Sequence, residues 1–213
     1  MDEQTRREWM VEMQVARRGV TDERVLAAMC KVPRHRFLPP ESQELAYADC
    51  ALRVDEGQSI SQPFIVGLML ALLEVLPEHK VLDVGTGSGY QAALLGELAG
   101  EVHTVERLPG LAQKAAAVLR ELGYAHVQVH IDDGSLGYPP AAPFDRIIVG
   151  AGAPSVPPAL LEQTAPSGRL VIPVGGRHSQ DLEVWERQQD QWERVVNLPV
   201  VFVPLVGAAG WGA

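Results

Sequence analysis

Lys80-Val81-Leu82-Asp83-Val84-Gly85-Thr86-Gly87-Ser88-Gly89-Tyr90 reads as a short buried strand running into a glycine turn that opens a helix, continued by Gln91-Ala92-Ala93-Leu94-Leu95. Glycines at 85, 87 and 89 let the backbone take positive φ and let a ligand approach without meeting a Cβ, which makes the turn a nucleotide site. The next apolar strand, Val102-His103-Thr104-Val105, ends on Glu106, 21 positions after Gly85. A strand-end carboxylate at an offset of ~20 residues is placed to meet ribose hydroxyls.

What the loop lacks narrows the nucleotide. A dinucleotide fingerprint carries glycine three places after the second one, to bring the helix close under a pyrophosphate. Here that place, 90, is tyrosine. Asp83, just before the first glycine, is an awkward neighbour for phosphate and a good one for an ammonium group. The pattern Asp-x-Gly-x-Gly-x-Gly resembles the S-adenosylmethionine loop of methyltransferases, whose ligand has an amino-acid end and no phosphate.

Outward from this unit, strands and helices alternate: strand 80–84, helix 89–99, strand 101–105, helix 109–122 closed by Gly123, strand 126–131, strand 144–149, helix 157–164 and strand 169–174. Such alternation predicts an α/β fold, a doubly wound, mostly parallel Rossmann-like sheet covered on both faces, with ligands outside the carboxyl ends of the strands. From Leu182 the helical period vanishes, and Leu182-Glu183-Val184-Trp185 and Trp192 to Val206 read as an antiparallel strand pair finishing the sheet. Ahead of the core, Glu3 to Arg17 and Asp22 to Lys31 read as an N-terminal helical extension. Thr21 is placed as N-cap of the second helix, and Pro33 ends it. Irregular chain follows to Gln62, and Pro63 fits the first position of a buried helix to Leu76.

The 213 residues, 46% hydrophobic and 21% charged, suit one globular domain. A formal charge of −9 with no basic run disfavours nucleic acid. Met1 to Glu8 is too charged for a signal peptide, and the longest apolar run, Phe64 to Leu76, falls short of the ~20 residues a bilayer needs, so the expected location is the cytoplasm. Cys30 and Cys50 form no CxxC and read as buried free thiols. His126 and His130 share a face of strand 126–131 without cysteine or carboxylate companions at ligand spacing, so no metal is expected.

Two polar segments remain. Asp132-Asp133-Gly134 ends the third strand, where Asp133 either accepts from an adenine amino group or belongs to a plain Asp-Gly turn. Glu56-Gly57-Gln58-Ser59-Ile60-Ser61-Gln62-Pro63 precedes the buried helix. Ser61 or Gln62 caps that helix, or the hydroxyl and amide cluster at its N-terminus holds a carboxylate.

Gly57-Gln58-Ser59-Ile60-Ser61-Gln62-Pro63 followed by Leu82 to Tyr90 resembles the protein-L-isoaspartate O-methyltransferase family. The resemblance continues through Val32 to Phe37, Tyr47 to Leu52, Val105-Glu106-Arg107, Asp133-Gly134, Pro143 to Val149, Leu170 to Gly175 and Phe202 to Leu205. It implies methyl transfer from S-adenosyl-L-methionine, with S-adenosyl-L-homocysteine as product, to the α-carboxylate of L-isoaspartyl residues in aged peptides and proteins. It also implies a catalytic serine at Ser61, acceptor contacts at Ser59, Ile60 and Ser61, and cofactor contacts at Asp83, Gly85, Thr86, Gly87, Glu106, Arg107, Asp133 and Gly134. The chain then divides into residues 1–62, extension and active-site segment, and 63–213, cofactor-binding core, within one methyltransferase domain expected to act as a monomer. A carboxylate, with pKa ~4, is already ionised at neutral pH, so Ser61 orients and does not deprotonate. Arg53-Val54-Asp55-Glu56 and Ala151-Gly152-Ala153-Pro154 depart from the family pattern beside the acceptor site. A methyltransferase of another carboxylate or a small molecule would show the same cofactor half.

Overall fold

Apolar strands alternating with helices build the computed structural model, which describes residues 1–188 and 191–212. In chain order the elements are α1 (Glu3–Met10), α2 (Glu23–Lys31), β1 (Leu52–Arg53), β2 (Ser59–Ile60), α3 (Pro63–Leu73), β3 (Lys80–Val84), α4 (Tyr90–Leu98), β4 (Glu101–Glu106) and α5 (Pro109–Glu121). They continue with β5 (Gln128–Ile131), β6 (Phe144–Val149), α6 (Pro158–Glu162), β7 (Thr164–Gly176), β8 (Ser179–Gln188) and β9 (Gln191–Val200). One seven-stranded sheet runs β5-β4-β3-β6-β7-β8-β9. Strands β5 to β7 in that order are parallel, and β8 and β9 add antiparallel.

Val84 sits opposite Val105 on one side and Val149 on the other, and β3 is the middle one of the five parallel strands. The chain winds from β3 towards β5 and then returns to the other side of β3 for β6. This reversal opens a crevice at the strands' carboxyl ends, because the following loops diverge. Alternate residues feed two cores. Val81, Val102, Ile148 and Val171 pack with α2, α3 and α4, while Leu82, Val84, Ile147 and Leu170 pack with α6 and Leu205.

Several boundaries differ from the expectation. Asp22, not Thr21, caps α2, because its Oδ1 accepts from the amides of Arg24 (2.9 Å) and Val25 (3.2 Å). The first helix changes pitch after Met10. One wider turn over 11–15 places Val11, Gln14 and Val15 together on the buried side. The stretch to Gln62 is not all irregular, since Leu52 pairs with Ile60 and Arg53 with Ser59 in a small hairpin. Helix α3 stops at Leu73, where Glu74 turns left-handed at φ 51°. β7 is longer than 169–174 because its hairpin with β8 carries pairing to Gly176. β5 starts at Gln128, so His126 lies outside it; its Nε2 is 3.2 Å from the Gly96 carbonyl, whereas His130 stacks on Tyr138. Both cysteines are free, but Cys50 is exposed and Cys30 only half-buried. Among the described residues no helix is long and apolar enough to cross a membrane.

Candidate active site

Asp83 is the one charged side chain on β3's buried stretch, fully enclosed beneath the glycine turn. Its Oδ1 accepts from Gln91 Nε2 (2.8 Å) and its Oδ2 from the Thr104 hydroxyl (2.8 Å), and that hydroxyl is 2.6 Å from the Thr86 hydroxyl. Thr86 therefore turns its side chain inward, and Asp83 lies under the loop and not at its surface. Burial pushes the Asp83 carboxyl up to about 6, against the two hydrogen bonds and with the nearby Glu106 charge adding to the rise.

The turn itself is pinned by backbone. The amides of Gly85 and Thr86 both donate to the Val105 carbonyl, at 2.9 and 3.2 Å. Gly85 takes φ 92° and Gly87 φ 54°, a region that a Cβ makes costly. Glu106, only 6% exposed, closes the loop: Oε2 accepts from the Gly87 amide (3.0 Å) and Oε1 from the Leu108 amide (3.1 Å). A carboxylate has about four lone-pair sites, so about two are left for a ligand. Glu106 lines the crevice with Gly85, Gly87, Gly134 and Gly150.

Arg107 is exposed and borders both this crevice and its extension past Asp132 and Asp133. Asp133 gives three of its about four lone-pair sites to the protein. Oδ1 accepts from the Ser135 amide (3.0 Å) and hydroxyl (2.7 Å), and Oδ2 from the Ala208 amide (2.7 Å). Partial burial would raise its carboxyl, but these donors outweigh it and hold the group below the usual carboxylate range. Gly134 lies so close to β3 and β4 that a Cβ would come within 2.8 Å of Val84 Cγ1.

On the opposite wall, β2 is extended, so Ser59 and Ser61 share one side and Ile60, 4% exposed, takes the other. The two serines line the crevice; Ile60 packs in the core behind them. Neither Ser61 nor Gln62 caps α3 with its side chain. Gln62 instead donates to the Asp49 carbonyl (3.2 Å) and carboxylate (2.8 Å), leaving the Ser61 hydroxyl to the crevice. This end, about 560 Å³, is bounded by Asp49, Ser59, Ser61, Gln62, Val201 and Phe202. Ser59 and Gly150 border both ends, which makes one continuous cleft from Asp133 to Ser61.

Three contributors escaped the sequence reading. Gln91 and Thr104 hold Asp83, and Val203 to Val206 form the cleft's far wall. Gly150 carried a legible signal, a glycine directly after an apolar strand at the switch point. Its amide donates to the Val84 carbonyl at 2.8 Å. Of the two departures, Arg53 ends β1 and Val54 to Glu56 lie in the β1–β2 hairpin turn, tied to α5 by the Asp55–Lys114 pair at 2.9 Å. Ala151 lines the cleft beside Val203.

Comparison with known proteins points one way. The family model described as protein-L-isoaspartate(D-aspartate) O-methyltransferase matches residues 5–210. A protein-L-isoaspartate O-methyltransferase of Protochlamydia amoebophila is 53% identical over 204 residues, 95% of this chain and 97% of its own. Another, from Methanoculleus marisnigri, is 49% identical over 96% of this chain and 93% of its own. A solved protein-L-isoaspartate O-methyltransferase superposes with TM-score 0.84 at 25% identity, covering 97% of this chain and 67% of that one. The same fold recurs in a Plasmodium falciparum structure bearing that family name and holding S-adenosyl-L-homocysteine, with TM-score 0.78, 23% identity, and coverage of 92% and 96%.

Proposed function

The chain belongs to the protein-L-isoaspartate(D-aspartate) O-methyltransferase family, and from that premise we propose that it methylates the α-carboxylate of L-isoaspartyl residues in damaged peptides and proteins, initiating their repair. The donor is S-adenosyl-L-methionine and the product S-adenosyl-L-homocysteine. The observation that carries this reading is the single cleft joining the glycine turn to Ser59 and Ser61 at the switch point between β3 and β6.

The residues present fit the cofactor: a positive-φ glycine turn whose Thr86 side chain points inward, a strand-end carboxylate with lone pairs to spare, and, among the described residues, Arg107 as the one basic side chain lining the crevice. When bound, S-adenosyl-L-methionine supplies an electrophilic methyl group on a sulfonium. Glu106 is assigned the ribose hydroxyls, Asp133 and Gly134 the adenine end, with Arg107 at the rim. Gly85, Thr86 and Gly87 receive the amino-acid end with their backbone, supported from below by the Asp83 charge. Ser61 donates to one acceptor oxygen and orients it; Ser59 and the chain at Ile60 complete the acceptor wall. No general base is needed, since the carboxylate is ionised well below neutral pH. Transfer cancels a negative and a positive charge, so a cleft that excludes water and holds the anion by hydroxyl dipoles favours it.

The proposal extends to one domain, with residues 1–62 as extension and active-site segment and 63–213 as core, acting as a monomer without nucleic acid. The free thiols support a reducing compartment and hence the cytoplasm. The alternative acceptor, another carboxylate or a small molecule, is separated by one assay. Purified protein and S-adenosyl-L-methionine are given an isoaspartyl peptide or its L-aspartyl counterpart, and S-adenosyl-L-homocysteine is measured. Product from the isoaspartyl peptide alone is expected; equal turnover of both, or of neither, overturns the isoaspartyl reading.

A further inference from the structure

Arg34 is wholly buried, yet among the described residues no carboxylate lies within ion-pair distance of it. Its guanidinium instead holds two main-chain carbonyls: Nε donates to Ala46 and Nη2 to Ser61, each at 2.8 Å. Nη1 makes no well-formed hydrogen bond, and Cζ lies 5.0 Å from the centroid of the Tyr90 ring, the side chain that most supports the guanidinium against the cost of burial. Tyr90 is the first residue of α4, directly after the glycine turn. One planar group thus joins the N-terminal extension, the acceptor segment and the start of the cofactor helix.

A buried cation without a counter-charge is costly, and an apolar side chain would fill the space at less expense. Two features of arginine match the site. Its rigid fork can meet two carbonyls at once, and its plane can lie over an aromatic face. Lysine carries its three donors on one compact ammonium, so it has neither the span of the fork nor a plane to lay over the ring.

We propose that Arg34 is a positioning residue of the acceptor site, fixing the Ser61 main chain against the glycine turn and leaving an uncompensated positive charge behind the serine that favours an anionic acceptor. The proposal rests on the reading of Ser61 as the acceptor-orienting serine. Arg34 works through Ser61, so its effect should vanish when the serine hydroxyl is gone. The carboxylate preference should follow the charge.

The test is a double-mutant cycle on the full-length protein with an isoaspartyl peptide. Arg34→Lys is expected to lower kcat about tenfold, with S-adenosyl-L-homocysteine affinity changed less than twofold. In a Ser61→Ala background the same change should cost less than twofold. Arg34→Met keeps the length and removes the charge; it is expected to fold, because apolar replacement of a buried ion lifts its desolvation cost. It should also raise the KM for the peptide above that of Arg34→Lys. Additive losses across the cycle, or full activity in either folded variant, overturn the positioning role. A wild type inert towards the peptide overturns the functional reading along with this one, whereas an active wild type matched by Arg34→Lys overturns this one alone.

Discussion

In the proposed reaction Ser61 orients an acceptor that is already ionised, so its loss should resemble the loss of one orienting hydrogen bond to a charged group. Ser61→Ala is expected to lower kcat/KM about ten- to a hundredfold, ~1.5–3 kcal/mol, and to leave cofactor affinity unchanged. The pH profile from 5 to 9 should keep its shape; a basic limb present in wild type and absent from the variant would assign Ser61 a proton-transfer role instead. Asp83 gives a different pH signature. Its folded-state pKa, raised to about 6 by burial against the pull of Gln91 and Thr104, exceeds the unfolded value of 3.8. The folded chain therefore binds this proton more tightly, and the stability it contributes is full below about pH 4 and lost as pH rises through 6. At ~1.36 kcal/mol per pKa unit the linkage amounts to about 3 kcal/mol. Asp83→Asn can accept from Gln91 and donate to Thr104, and it should remove that slope in urea unfolding measured between pH 4 and 6. An unchanged slope would place the titration on another group. Both positions, at the acceptor segment and beneath the glycine turn, were legible in the sequence. The inward turn of Thr86 and the clasp of Asp133 on Ala208 were not, because the partners come from other strands and from the C-terminal segment.

At the scale of elements, α3 carries Ser61 at its entrance and is packed against the N-terminal turns through a glycine. A Cβ on Gly67 would lie 2.7 Å from Val15 Cγ1 and 3.1 Å from Met29 Sδ, both side chains fully buried. Alanine would gain about 1 kcal/mol of helix propensity but overpack a stiff β-branched neighbour at a cost of about 1–3 kcal/mol. Overpacking should win: Gly67→Ala is expected to lower stability by up to about 2 kcal/mol in a denaturant titration, and a stabilised variant would show that the extension yields easily. Element boundaries were readable where local chemistry sets them. Phe144–Val149 matched its expected strand, and Pro63 opened its helix. The β1–β2 hairpin was invisible, since two residues a side leave no period to detect.

For the whole molecule, a ligand that spans the cleft ties β3, β4 and β5 to the acceptor wall and should stabilise them together. S-adenosyl-L-homocysteine at a hundred times its Kd is expected to add about 2.7 kcal/mol, roughly 5–10 °C in Tm for a chain of this size. Glu106→Ala should lower both that shift and the ligand-free Tm, because the amides of Gly87 and Leu108 lose their acceptor. A full ligand shift in this variant would remove Glu106 from the cofactor site. The sequence by itself determined the parallel core, the glycine turn, the carboxylate 21 positions on, and the serine segment ahead of a buried helix, since period, turn chemistry and offset are written within a few dozen residues. Only the tertiary structure decided what holds those parts: Arg34 on Ser61 across 27 positions, Asp133 on Ala208 across 75, and Val203 to Val206 as the far wall. A hydrogen bond between distant segments leaves no local pattern in either, because its geometry exists only once the sheet has brought them together.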